Sequence, residues 1–367
     1  MSTTRPTSTQ HVIVYRDDRY FSGWPFNGGF WQFNDGELAV GFVRGEVDYT
    51  DPQTLGHKRV DHDRGEHVIL RSSDGGITWP IAEMVTVYRR PEWDEKTRNL
   101  TPSEPEKCAE RNPRADGYCL ISGYGIPTED AQHIAFTTVS TDRGRTWDDP
   151  VLVTNPGRCL HLSGRPSYVV RGDGLLLLLV HGSRAAKTEG RSFPLVFASA
   201  DGGGSWRLLA EIELTPACPM GIMPYPVILS DGRLLVAVRR QYGGAANAYT
   251  QIYSSEDGGR TWQLLSRAND WGAPANLTEL GDGRLVCTYG YRQFPYGIRA
   301  TVSEDGGRTW DDEIILRDDG GSWDLGYPRT LLRPDGKLIT VYYFNTKDDA
   351  VQMLGGVRHI AATVWEV

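Results

Sequence analysis

The chain has 367 residues and a formal net charge of -8, from 39 Lys and Arg against 47 Asp and Glu, without a basic tract. That balance argues against nucleic acid as a partner, and no apolar run approaches the length of a membrane span. The five cysteines (Cys108, Cys119, Cys159, Cys218, Cys287) show neither CxxC nor Cys/His ligand spacing, so they read as reduced structural thiols with no metal or other cofactor implied.

In chain order, residues 1–10 are polar, lack a signal-peptide apolar region and read as a disordered tail of a cytoplasmic protein. An isolated strand follows at His11–Tyr15. Asp35-Gly36 then leads into the apolar run Leu38–Phe42, and Asp-Gly recurs before apolar runs at Asp116, Asp173, Asp231, Asp282 and Asp335. Asp-Gly between β-rich runs signals a hairpin. A second phrase, S-x-D-x-G-x-[ST]-W, alternates with the first at Ser72–Trp79, Ser140–Trp147, Ser199–Trp206, Ser255–Trp262 and Ser303–Trp310. Its Ser and Asp side chains suit bonding to turn N–H groups, its Gly suits positive φ, and its Trp offers an apolar anchor.

Each repeat reads as strand A, Asp-Gly turn, strand B, loop, strand C, Ser/Asp/Trp turn, strand D: one propeller blade. The predicted fold is all-β, a single six-bladed β-propeller over residues 11–367. Blade six takes its A strand from Tyr327–Leu332, its B strand from Leu338–Tyr343 and its C strand from His359–Trp365. It lacks a fourth strand of its own, which His11–Tyr15 supplies from the other end of the chain, closing the ring.

The D–A and B–C loops of a propeller gather on one face. Two of them are long and charged here, Arg44–Glu66 in blade one and Arg89–Asn112 after it, and long structureless loops tend to be functional. Aromatic residues at the same rim include Trp24, Trp31, Trp271, Trp323 and Tyr327. Indole and phenol faces stack on the C–H faces of sugars, and Arg and carboxylates hold hydroxyls and acids, so the combination favours a carbohydrate ligand.

The Ser/Asp/Trp phrase is the Asp-box, and over essentially its whole length the chain resembles the sialidase (neuraminidase) superfamily. The resemblance implies an arginine triad for a substrate carboxylate, a Tyr nucleophile activated by Glu, and an Asp acid/base; a Tyr nucleophile sets sialidases apart from other glycosidases. Tyr327, in Gly326-Tyr327-Pro328-Arg329, matches the nucleophile. Asp61 or Asp63, in Asp61-His62-Asp63-Arg64-Gly65, matches the acid/base. Arg239 or Arg240 lies near the second triad position and Arg292 near the third. The family's first arginine motif falls on Phe26-Asn27-Gly28 and its Glu on or beside Met223, departures that point to a sugar other than sialic acid.

The resulting expectation is an exo-glycosidase acting on a small acidic oligosaccharide or glycoside, with Asp324 as a candidate base for Tyr327. An alternative is a uronate lyase, in which Arg165, Arg292 or Arg329 neutralises a carboxylate and His57, His161 or Tyr327 takes the α-proton. A second alternative is a non-catalytic carbohydrate-binding propeller.

Overall fold

The computed structural model describes residues 3–367 except 58–59, 61–63, 99, 102, 104–110, 125–133, 158, 164–166, 185–191, 217 and 219. Its strands form six separate sheets, and the chain divides into two compact units, one comprising Met1–Pro91, Gly243–Thr250 and Arg267–Val367, the other Glu92–Tyr242 and Gln251–Ser266.

In the first unit, blade one has a broken A strand. Tyr20–Gly23 and Phe30–Gln32 both pair with Leu38–Glu46, and Glu66–Ser72 and Val85–Arg89 complete the sheet. A single turn of helix, Pro25–Gly28, fills the break. Blade five runs Ala275–Glu279, Leu285–Tyr291, Gly297–Ser303, Glu313–Arg317. Blade six runs Gly326–Leu332, Leu338–Phe344, His359–Trp365, and its outer strand is Thr9–Tyr15, antiparallel to His359–Trp365. The N-terminal strand therefore completes the last blade, as its sequence position led us to expect.

In the second unit, blade two shows Cys119–Tyr124, Ala135–Ser140 and Val151–Val153. Blade three pairs His161–Ser163 and Tyr168–Val170 with Leu176–Ser183, then adds Ser192–Ser199 and Arg207–Glu211. Blade four consists of Gly221–Ile228, Leu234–Gln241, Ala248–Ser255 and Gln263–Arg267.

Two expectations need correction. Residues 3–10 are not a disordered tail: Thr3–Thr4 pairs in parallel with Glu313 and Ile314, and Arg5 forms an ion pair with Asp318. Glu313–Arg317 is the outermost strand of its own blade, and its unpaired backbone groups accept an added strand. The segment expected as a structureless loop from Arg89 to Asn112 contains the helix Arg90–Arg98. No described helix is long and apolar enough to cross a membrane. Cys119, Cys159, Cys218 and Cys287 are buried and form no disulfide among the described residues.

The five Ser/Asp/Trp turns share the Ser and Asp hydrogen bonds, while the Trp indole donates to the turn glycine carbonyl in the first, second and fourth and to Thr137 in the third. In the first, Asp74 Oδ1 accepts from the N–H groups of Ile77 and Thr78, at 3.0 and 2.9 Å, and Oδ2 accepts from the Thr78 hydroxyl at 2.7 Å. Ser72 Oγ donates to Asp74 and accepts from the buried Gly76 N–H at 2.9 Å. Trp79 folds back so that Nε1 donates to the Gly76 carbonyl. The side chains thus satisfy backbone donors that the tight turn leaves without sheet partners.

Neighbouring blades within a unit pack face to face, which explains why the B strands read as nearly unbroken apolar runs. Leu120 and Val139 of blade two join Leu176, Leu178, Val180 and Phe197 of blade three. Val286 and Ala300 of blade five join Tyr342, Phe344 and Trp365 of blade six. Polar contacts fix the register: the Tyr118 hydroxyl donates to the Gly202 carbonyl, and Arg171 Nη1 to that of Gly258, so one blade's Asp-Gly turn grips the next blade's Ser/Asp/Trp turn.

The accepted hydrogen bonds outweigh partial desolvation and hold the carboxyls of Asp74, Asp142, Asp257 and Asp305 at about 2, below their ordinary 3.8. A depressed carboxyl stabilises the fold fully above its unfolded value and loses that contribution as pH falls through the folded one. Urea unfolding midpoints should therefore be level above about pH 4 and fall between about pH 4 and pH 2; an unchanged midpoint across that window would contradict this account of the turns.

Candidate active site

The A strand of blade six opens with a kink. Tyr327, immediately before Pro328, has φ 53 and lies in the left-handed region, which costs a non-glycine residue of order 1–3 kcal/mol. The register shifts between Gly326 and Arg329 as a result. Trp24 before Pro25 (φ 59) and Met223 before Pro224 (φ 52) repeat the conformation in blades one and four. Proline bars its predecessor from the right-handed helical region, and the left-handed alternative turns that side chain off the regular strand alternation. Such strain persists only where packing over-determines it. At Tyr327 the packing is backbone against backbone: a Cβ on Gly290 would stand 2.8 Å from Gly326 Cα.

Tyr327 is only 6% exposed. Its ring meets Tyr343 edge-on at 5.8 Å and Phe26 at 6.1 Å. The Arg292 guanidinium sits 5.3 Å from the Tyr327 centroid and 5.7 Å from that of Trp323, within range of cation–π attraction. Arg292 Nε and Nη2 both donate to the Leu325 carbonyl. Its Nη1 finds no protein acceptor among the described residues.

Asp324, in the loop leading to this strand, is the electrostatic centre. The loop is clamped by Asn345, whose Oδ1 accepts from the Ser322 N–H and whose Nδ2 donates to the Asp324 carbonyl, each at 2.6 Å. The Asp324 carboxylate accepts from the Tyr343 hydroxyl at 2.7 Å and contacts His57 Nε2 with both oxygens at 3.0 Å. Arg358 faces it at 3.4 Å as an ion pair, with its Nη atoms on the Gly356 and Leu354 carbonyls. Burial alone would raise the Asp324 carboxyl, but His57, Arg358 and the Tyr343 hydroxyl together hold it well below the usual range. Burial and the Asp324 charge push the Tyr343 phenol well up, so it remains a neutral donor.

His57 arrives from the long B–C loop of blade one, which is built by local capping. Asp48 accepts from the Thr50 N–H and hydroxyl, and Asp51 caps the 3-10 turn Pro52–Leu55 through the Gln53 N–H. Tyr49 and Leu55 then bury against Val357, and the Tyr49 hydroxyl accepts from the Arg358 N–H and donates to the Tyr20 carbonyl. The loop is thereby tied to the segment that carries Arg358. Trp24 and Phe21 stack on each other at 5.2 Å and both stand nearly perpendicular to the His57 ring, at 5.0 and 5.7 Å.

The structure thus brings together His57, Asp324, Tyr327, Arg292, Trp323 and Trp24. Arg329 joins them indirectly, donating to the Phe26 carbonyl from Nε and Nη2 and so fixing the helical turn beneath Tyr327. Asp324, expected as a candidate base for Tyr327, accepts a hydrogen bond from the Tyr343 phenol. Arg240 is fully buried and bonded to the Tyr253 hydroxyl and to the Thr215 and Cys218 carbonyls, so it is a structural cation and not a substrate ligand.

Arg239, in the second unit, donates to Gln241 and lies against Met223. His161, in the same unit, pairs through its backbone with Ser183. Trp31 covers Gly29, where a Cβ would stand 2.2 Å from its ring, and Trp271 is 46% exposed. Asp61, Asp63 and Arg165 lie outside the described residues. The sequence reading missed Tyr343, Arg358, Phe21 and Phe26. The adjacent tyrosines at the end of the blade-six B strand were the available signal, because strand alternation sends Tyr342 and Tyr343 to opposite faces. No group of three or more His, Cys, Asp or Glu able to hold a metal occurs among the described residues.

Six sheets with the A strand kinked and the last sheet completed by the N-terminus define a six-bladed β-propeller, and similar solved structures agree. One from Dyadobacter fermentans, of unknown function, matches 99% of this chain and 99% of its own at TM-score 0.76 and 22% identity. An α-L-arabinanase from Penicillium chrysogenum, complexed with arabinobiose, matches 98% of each chain at TM-score 0.61 and 16% identity. The BNR repeat-like domain model matches residues 119–340, more than half of the chain, and the chain belongs to that family. Among curated proteins it resembles a xyloglucanase from Acetivibrio thermocellus (25% identical over 215 residues, 53% of this chain) and a sialidase from Clostridium perfringens (26% over 139 residues, 35% of this chain). These matches span only 23% and 34% of the relatives' own lengths.

Two variants test the assembly. Asp324→Asn leaves the buried Arg358 charge uncompensated and should lower unfolding free energy by about 3 kcal/mol in urea titrations. Gly290→Ala forces the blade-five and blade-six strands apart and should cost about 1–3 kcal/mol, with loss of the ordered Tyr327 ring resonances. A neutral effect of either would contradict the packing described.

Proposed function

We propose that the chain is a glycoside hydrolase that removes a terminal sugar from a small oligosaccharide or glycoside. The observation that carries this reading is Tyr327, held in a strained backbone conformation with a guanidinium against its ring and a carboxylate–imidazole pair one tyrosine away. A phenolate that attacks an anomeric carbon carries negative charge in the resting enzyme and gives it up as the bond forms, and Arg292 places positive charge where it offsets that resting charge. Trp24 and Trp323 supply faces for the apolar side of a sugar. The xyloglucanase, sialidase and arabinanase relatives support glycosidic-bond hydrolysis in general; the lyase alternative draws no support from them.

Recognition of a sialic acid carboxylate by three arginines is poorly supported. Arg240 is committed to carbonyl groups, and the first arginine register falls on Phe26-Asn27-Gly28. Arg292, with one nitrogen unengaged among the described residues, suits a single acidic group or a pair of hydroxyls. The substrate in this reading is therefore a neutral or singly acidic glycoside.

The test is a panel of aryl glycosides comprising arabinofuranosides, hexopyranosides, uronides and a sialoside. The expected result is turnover on a non-sialoside member, with Tyr327→Phe reducing kcat by about 10²-fold or more while KM stays within a few-fold. A protein that binds sugars with affinity unaffected by Tyr327→Phe, and turns over none of them, would be a carbohydrate-binding propeller instead.

A further inference from the structure

The geometry points to His57, oriented by Asp324, as the residue that moves the proton in this site, in place of a carboxyl acid/base. The inference rests on the hydrolase reading above and deepens it.

His57 Nε2 lies 3.0 Å from both oxygens of Asp324. A carboxylate that accepts hydrogen bonds requires Nε2 to carry a hydrogen, so in the neutral imidazole the lone pair is on Nδ1. Asp324 cannot rotate away, because its other contacts, to the Tyr343 hydroxyl and Arg358, fix both oxygens. The imidazole itself is walled by Trp24 and Phe21, each nearly perpendicular to it. One nitrogen is thus anchored while the side chain keeps 47% of its surface exposed, in contrast to 9% for Asp324. An anchored, half-exposed imidazole beside a buried carboxylate is the arrangement in which one nitrogen is held and the other is presented to a ligand. A purely structural tether between loop and blade would not need an imidazole left half-exposed.

Tyr343 links this pair to the rest of the site. Its hydroxyl donates to Asp324 and lies 3.4 Å from Arg292 Nη2, and its ring abuts Tyr327. The proton-moving pair and the proposed nucleophile therefore flank one buried phenol.

In the forward step, the bond from the anomeric carbon to the leaving oxygen breaks and its electron pair goes to that oxygen. The oxygen takes the proton from Nδ1 of the imidazolium, and the Tyr327 oxygen, as a phenolate whose charge the adjacent Arg292 offsets, bonds to the anomeric carbon. In the second step neutral Nδ1 takes a proton from water, whose oxygen joins the anomeric carbon as the bond to Tyr327 breaks. The sum is one glycoside and one water giving two hydroxyl products, with His57 and Tyr327 restored. Asp324 touches no reacting atom and is a positioning residue.

The experiment compares wild type, His57→Gln, Asp324→Asn, Asp61→Ala and Asp63→Ala on aryl glycosides that share the sugar and differ in leaving-group acidity. His57→Gln should reduce kcat about 10²-fold or more on a poor phenol leaving group and only slightly on dinitrophenol, which needs no protonation. Asp324→Asn should show the same selective loss in weaker form. Nitrogen-15 NMR of the wild type should show neutral His57 as the Nε2–H tautomer, and Asp324→Asn should remove that preference. Equal losses on all leaving groups, or the selective signature appearing in Asp61→Ala or Asp63→Ala and not in His57→Gln, would overturn the assignment. An Nδ1–H tautomer would overturn it independently of any activity. If wild type hydrolyses no glycoside, the hydrolase reading itself fails, a result separate from the tautomer measurement.

Discussion

One carboxylate per turn holds this fold in register. A tight connection between the third and fourth strands of a blade leaves several backbone donors without sheet partners, and the Asp of each Ser/Asp/Trp turn collects them on two oxygens. The adjacent serine satisfies the buried glycine N–H, and the tryptophan seals the turn from above. The pattern repeats in five of the blades, so each of these turns satisfies its donors in the same way. The next blade's packing then becomes a matter of apolar strands meeting apolar strands. The contacts from Tyr118 and Arg171 to glycine carbonyls of the following turn show how that local solution is passed between sheets.

The fold was legible because its determinants are local. Asp-Gly, Ser/Asp/Trp and the apolar runs between them each act within about ten residues, and those are distances over which turn chemistry decides conformation. The supply of a strand to the last blade by residues near the N-terminus followed from the count of strands. The segment at residues 3–10 was misread because a polar stretch has no pattern of its own; its order comes from the edge of a strand more than 300 residues away.

The candidate site was legible in part, for the same reason inverted. Tyr327 stood out by its place before a proline and an Asp-Gly turn, both local marks. The bond from the Tyr343 hydroxyl to Asp324 is a tertiary contact, and no composition or spacing reports it. Arginines show the same limit. Sequence displays the charge of Arg240 but not the two carbonyls that enclose it, while Arg292, superficially similar at a strand end, retains a nitrogen with no acceptor among the described residues.

The residues gathered around Asp324 come from opposite ends of the chain: His57 is separated from it by 267 positions, and the blade that carries Tyr327 needs Thr9–Tyr15 as its outer strand. During synthesis, therefore, the early blades emerge and can begin to pack while this site is incomplete. Its completion waits until the final strand leaves the ribosome and captures the first, a step whose loop closure spans nearly the whole polypeptide. Truncated translation products and chains clipped before residue 359 would consequently leave the pair of Asp324 and His57 beside a blade without its third strand.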